Sequence, residues 1–171
     1  GFINTAKIEG TVAFVSDGGS TAARLASNGR ISYAKSEEFY NNTAFTVLAD
    51  YRKDQVADRG KLISFLGSFV ITVTEHTISA SVVTDKGTKL LSKSYMPLEN
   101  TQWHKIALTF DGAAGTASLY LDGKEIAFAS GLTGAIQVGN DSQNFYVGSP
   151  GGDSFNGLID KGEPVRLAGA A

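Results

Sequence analysis

Gln102-Trp103-His104-Lys105-Ile106-Ala107-Leu108-Thr109-Phe110-Asp111-Gly112, followed by Leu119-Tyr120-Leu121-Asp122-Gly123-Lys124, reads as two short strands joined by a turn. Parity assigns their faces. Ile106, Leu108 and Phe110 share one side and Lys105, Ala107 and Thr109 the other, because successive side chains of a strand point to opposite faces. The apolar set is core. In the next strand Leu119 and Leu121 take the core side and Tyr120 the opposite one.

Working outward, the same period of two recurs along the chain, and no long segment carries the apolar spacing of a helix. Candidate strands are 12–15, 22–25, 31–33, 45–52, 61–66, 69–74, 77–83, 89–95, 103–110, 116–121, 124–129, 145–147 and 157–159. Asn28-Gly29, Asp85-Lys86-Gly87, Asp111-Gly112 and Asp122-Gly123 lie between candidate strands. Such pairs supply the positive φ values of hairpin turns, so each predicts a strand reversal. Phe45, Val47, Ala49 and Tyr51 share a face, and Ile63, Phe65, Ile71, Val73 and Val147 are expected to complete the inter-sheet core. Many short antiparallel strands at this spacing make a two-layer sandwich or a barrel.

The Trp-His, Phe-Asp-Gly and Leu-Tyr-Leu-Asp-Gly run of the opening hairpin resembles laminin G-like domains of the concanavalin A-like lectin and glucanase superfamily. Ala44-Phe45-Thr46-Val47-Leu48-Ala49 resembles that family's early strand, and Phe145-Tyr146-Val147-Gly148 and Phe155-Asn156-Gly157-Leu158-Ile159-Asp160 resemble its late strands. The segments stand in the family's order and cover most of the chain. The resemblance implies an all-β fold, a two-sheet antiparallel jelly-roll sandwich, as one domain over residues 1–171. Where Asp50 stands, the family commonly has an aromatic residue. A mid-strand carboxylate does not suit a core, so the Asp50 face is expected to be solvated or paired.

Bulk properties agree with one such domain. At 171 residues with 42% hydrophobic content the chain can bury a sizeable core, and 20 glycines suit many tight turns. A formal net charge of -2 without any Lys/Arg run argues against nucleic acid, an anionic membrane surface or another polyanion as partner. Cysteine is absent, which removes disulfides and thiolate chemistry. No apolar run reaches the roughly 18 residues that span a bilayer. The sequence opens without a basic-then-apolar leader, and a start at Gly1 fits either a domain of a larger secreted protein or a chain that lost its initiator Met. The expected location is extracellular, on a cell surface or on a virion surface.

Catalytic patterns are weak. Glycosidic hydrolysis needs two carboxyl groups flanking the bond, and glucanases of this superfamily carry an alternating Glu-x-Asp-x-x-Glu strand that this chain lacks. Glu37 and Glu38 are adjacent, hence on opposite faces of a strand, and Asp160 and Glu163 straddle a Gly-Pro break. His76 reads as a turn residue. His104 shares parity with Ile106 and is expected to pack inward, bonded to a loop carbonyl. The Gly148-Ser149-Pro150-Gly151-Gly152-Asp153 segment lacks the Gly-Lys-Ser/Thr ending of a phosphate loop and reads as a plain loop.

Binding is the better reading. Jelly-roll relatives bind on the concave sheet face or at the rim loops, and Tyr120, Lys105, Asp50 and Tyr146 share the non-core parity that could line that face. An aromatic ring stacks on sugars and flanking carboxylates accept hydroxyl hydrogen bonds. Asn140, in the polar loop Asn140-Asp141-Ser142-Gln143-Asn144, is a rim candidate, and Asn41 and Asn140 also fit the N-glycosylation pattern. The resemblance further implies Ca²⁺, with Asp17 and Asp160 as its candidate ligands.

Past Asp160 the family runs directly into a last strand, whereas here Lys161-Gly162-Glu163-Pro164 intervenes. Residues 161–171 are therefore an atypical end, expected to pack on a neighbour instead of its own sheet, which would suit a homo-oligomer or a larger assembly. The combined expectation is a non-catalytic module that binds a glycan or a surface protein. The alternatives are a structural decoration or attachment protein of a virion or other assembly, and, behind it, a glycoside hydrolase.

Overall fold

A computed structural model describes residues 6–17, 19–33, 43–65, 68–94, 102–134, 145–159 and 166–169, and among them lie thirteen strands and no helix. β1 (Ala6–Asp17) and β2 (Ser20–Tyr33) form the first hairpin, and β3 (Ala44–Arg52) follows. β4 (Gly60–Phe65), β5 (Phe69–Val73), β6 (Thr77–Thr84) and β7 (Gly87–Ser94) make one meander, and β8 (His104–Asp111), β9 (Thr116–Leu121) and β10 (Lys124–Ala129) a second. β11 (Phe145–Val147), β12 (Gly157–Ile159) and β13 (Arg166–Gly169) are short.

The strands run in the hydrogen-bonded order β10-β9-β8-β3-β12-β2-β11-β4-β5-β6-β7, with β1 on the edge of β2 and β13 on β3. β2 joins the two layers. Its residues 23–25 pair with β12 in the β3 layer, and its residues 31–33 pair with β11 in the β4 layer. At the far side β10 comes back alongside β7, so the two layers nearly close on each other. This is the expected antiparallel jelly-roll sandwich.

Asn28-Gly29 does not reverse the chain as expected. Ser27 and Asn28 have φ of 49° and 62° and bend β2 in mid-course, while the register with β1 continues beyond a bulge at Glu9/Thr11. The left-handed residues make a corner here because β1 bends with β2, and one long hairpin thereby serves both layers. Asp122-Gly123 does reverse the chain: φ of 51° and 84° at its two central residues is the primed hairpin geometry that matches strand twist.

The core is the apolar parity set meeting across the layers. Phe45 of β3 stacks on Phe69 of β5 with ring centroids 4.8 Å apart, and Phe65 and Phe145 meet Phe69 edge-on at 5.7 and 6.0 Å. Val47, Ile63, Ile71, Val73, Ile106, Leu108 and Leu119 are all fully buried, as the alternation predicts. Among the described residues no helix is long and apolar enough to cross a membrane.

The C-terminal end departs from expectation. β13 pairs with β3, placing Arg166 opposite Leu48, whereas β12 places Ile159 opposite Tyr51. Between those two points β3 advances three residues and the other strand seven, so the chain carries four residues more than the ladder needs and then re-enters its own sheet. The free edge of β3 had backbone groups to satisfy, and the tail supplies them.

Candidate functional site

The opening hairpin builds one surface. Asp122 has a structural duty beyond its turn: its Oδ1 accepts the Lys105 backbone N–H at 2.9 Å, its own N–H donates to the Lys105 carbonyl at 2.9 Å, and its Oδ2 lies 2.7 Å from His104 Nδ1. With a carboxylate as acceptor, Nδ1 is the donor. His104 thus bonds a carboxylate, not the loop carbonyl expected from sequence. Its side chain is 11% exposed, its ring packs 5.7 Å from that of Tyr51, and its Nε2 is buried away from any substrate. The histidine locks the start of β8.

That lock aims Lys105 outward. Lys105 stands opposite Asp50 in the β3–β8 ladder, and their charged ends meet at 3.8 Å. Asp50 is therefore paired, which answers its mid-strand position. Two residues further along β8, Ala107 faces Tyr120, and Tyr120 in turn faces Glu125 of β10. The outer surface of this sheet so carries a half-buried phenol ring between the Asp50–Lys105 pair and the exposed Glu125. Glu125 escaped notice in the sequence because its face depends on the β9–β10 register. The same sheet carries Arg24, ion-paired with Asp54 beyond the end of β3.

Tyr146 does not join this surface. It sits on β11 between Ser32 and Ser64, on the other layer. Its parity was readable, but parity does not say which sheet a strand enters. Asn140 and Asp160 lie outside the described residues, as does the side chain of Asp17, whose backbone pairs with Ser20. Among the described residues no three His, Cys, Asp or Glu side chains converge as a metal cluster.

The structure adds a second surface that sequence reading missed. A cleft of about 410 Å³ opens at the rim where β4 begins and β5 ends, lined by Arg59, Lys61, Thr72, Thr74, Asp153 and Asn156 among others. Its wall is held by backbone. Lys61 N–H donates to Asp153 O at 2.8 Å, and Phe155 N–H donates to Lys61 O at 3.1 Å. A Cβ on Gly60, whose φ is +136°, would come within 2.6 Å of the Ser154 and Phe155 backbone, so only glycine allows this approach. Ser154 Oγ donates to Gly29 O at 2.7 Å and ties the loop to the kink of β2.

Asp153 is internally satisfied. Lys61 Nζ reaches Oδ2 at 2.7 Å and the Ser149 hydroxyl donates to Oδ1 at 2.6 Å. These two bonds, the Lys61 one foremost, hold its carboxyl below the ordinary range. Nearby, Lys53 is 6% exposed and donates through Nζ to Thr74 O at 2.7 Å and Val56 O at 3.3 Å. Burial pushes its ammonium below the ordinary lysine value, against the pull of Asp58 and Glu75. Lys53 thereby clamps the segment that carries Arg59. The Gly148–Asp153 loop was visible in sequence only as a loop, because its partner Lys61 is remote in the chain.

A family model described as the concanavalin A-like lectin/glucanases superfamily, of laminin G type, matches residues 17–162. No curated protein matches the sequence. Among solved structures, domain 4 of AbnA, a GH43 extracellular arabinanase from Geobacillus stearothermophilus, in complex with arabinotriose, superposes with a TM-score of 0.63 at 19% identity, over 97% of this chain and 82% of that one. The Ruminococcus gnavus IT-sialidase CBM40 bound to α2,3 sialyllactose gives 0.64 at 16% identity, over 88% and 91% of the two chains. The binding domain of Paraclostridial Mosquitocidal Protein 1 gives 0.69 at 14% identity over 98% of this chain, which spans only 45% of that structure. Identities this low show the shared fold.

Proposed function

We propose a glycan-binding role for this chain, which belongs to the concanavalin A-like lectin/glucanases superfamily. It is a non-catalytic module acting outside cells or at a surface, and the outer face of the β3-β8-β9-β10 sheet is its sugar platform. The observation that carries this reading is the Tyr120 ring, half-buried between the Asp50–Lys105 pair and Glu125. A half-buried ring on a sheet can stack on the apolar side of a sugar, and charged groups on either side bond its hydroxyls. The arabinotriose bound to the AbnA domain and the sialyllactose bound to the CBM40 support a sugar as ligand class.

Spacing argues against hydrolysis on this face. Asp50 and Glu125 are three strands apart, about 14 Å at the usual strand separation. Glycosidase carboxyls stand roughly 5 to 9.5 Å apart.

A glycan array followed by titration of the best hit tests the role. Tyr120→Ala is expected to weaken that binding at least tenfold with the melting temperature little changed. Silence across the array, or equal affinity in Tyr120→Ala, overturns the proposal.

A structural role in a larger assembly is favoured by one feature: β1 pairs only with β2 among the described strands and leaves Ile8 48% and Phe14 59% exposed along that edge. Light scattering on the purified chain decides it, since a monomer at all concentrations removes this second reading.

A further inference from the structure

We propose that the rim cleft is a second binding site, separate from the Tyr120 face, and that it takes a single sugar unit bearing an oxyanion, with Arg59 as the anchoring cation.

Three observations carry this. First, charge in the cleft is unevenly answered. Lys61 is neutralised by Asp153, and Lys53 is turned inward onto carbonyls. Among the described residues, Arg59 makes one bond only, from Nε to Ala57 O at 3.4 Å, so the two terminal nitrogens of its fork have no acceptor. A guanidinium presents paired donors that match the two oxygens of a carboxylate or sulfate.

Second, the segment that carries the arginine is held in place. Asp58 Oδ2 accepts the backbone N–H groups of Asp54 and Gln55, each at 2.9 Å, and closes the segment into a turn, and Lys53 pins it to Thr74. Preorganisation of this kind lowers the ordering cost of binding.

Third, the remaining lining suits a polyol. The Thr72 hydroxyl and the Asn156 carboxamide have no hydrogen-bond partner among the described residues, and both border the cleft. A volume of about 410 Å³ lies within the range of small-molecule sites and accommodates one sugar ring with its substituents. One unanswered cation is a receptor for one oxyanion, not for a polyanion, which agrees with a chain of net charge -2.

The test is an amide-resolved NMR titration of the whole chain with D-glucuronic acid, D-glucose 6-sulfate, acetate and D-glucose. Either acidic sugar is expected to shift the amides of Gly60, Lys61 and Asn156, while acetate and glucose do so at least tenfold more weakly. The stronger of the two sugars identifies a carboxylated or a sulfated source. Arg59→Gln, an exposed change that leaves the spectrum dispersed, is expected to weaken acidic-sugar binding at least tenfold and to leave Tyr120-dependent glycan binding untouched.

The inference is overturned if neither acid moves the cleft amides, if the shifts persist in Arg59→Gln, or if acetate binds as well as glucuronate. Loss of acid binding in Tyr120→Ala but not in Arg59→Gln moves the anion to the sheet face. That outcome overturns this inference and leaves the proposed function standing.

Discussion

The Tyr120 face and the Arg59 cleft flank the end of β3 and are built by opposite means. The face is made of strand residues whose positions follow from ladder register: Asp50, Lys105, Tyr120 and Glu125. The cleft is made of strand ends and loops from distant parts of the chain, drawn together by backbone bonds such as Lys61 N–H to Asp153 O. A strand-borne site is as rigid as the sheet beneath it. A loop-borne site depends on a few local ties and can be lost while the sheet survives.

The strongest challenge to that contrast comes from the core both regions share. Phe69→Ala removes the ring stacked on Phe45 and edge-on to Phe65 and Phe145, and is expected to cost about 3 to 5 kcal/mol in urea unfolding. Both binding regions should fail together at the same urea concentration. Separate transitions would show that they do not hang on one core.

Gly60→Ala separates them. A Cβ there meets backbone at 2.6 Å with φ at +136°, so a loss of about 1 to 3 kcal/mol is expected, with amide shifts confined to the rim. Glycan binding through Tyr120 should persist. Its loss would mean that the sheet face depends on the loops after all.

The smallest effect is in pH. Asp153 has a folded pKa lowered beneath its ordinary 3.8, so its contribution to stability is complete above that value and is lost as pH falls through the folded pKa. Asp153→Asn should remove this acid-side component and change nothing near neutrality beyond a constant offset. Lys53, whose pKa is also lowered, has the same sign of pH dependence in an alkaline window: stability rises with pH between the folded value and 10.5, as the cost of burying its ammonium is relieved by deprotonation. A melting profile against pH in wild type and Asp153→Asn checks the first of these, and an identical acid limb in the two refutes it.

How much of this was legible in the sequence follows from the same contrast. The alternation in Trp103–Phe110 and Thr116–Leu121 put every core residue on its face, since parity needs only local information. The outward parity of Tyr120 and Lys105 was legible for the same reason. Tyr146 was assigned the right parity and the wrong company, because membership of a sheet is decided by long-range pairing. Asn28-Gly29 has the composition of a reversal, but a left-handed residue serves equally to bend a strand whose partner bends with it. The cleft was invisible: Asp153 finds Lys61 only after the sandwich has closed. His104 was correctly turned inward, but its acceptor is a turn residue whose second role no spacing rule announces.

The tail of the chain has a consequence of its own. β12 and β13 are indexed separately on β3, with four residues to spare between them. The alignment of β3 is in turn fixed by β8 from Ala44 to Tyr51 on the other edge. The two short strands are therefore independent latches on one rail. A chain ending before Arg166 would therefore keep β12 in register and bare the edge of β3 from Phe45 to Leu48 to any other strand that can pair there.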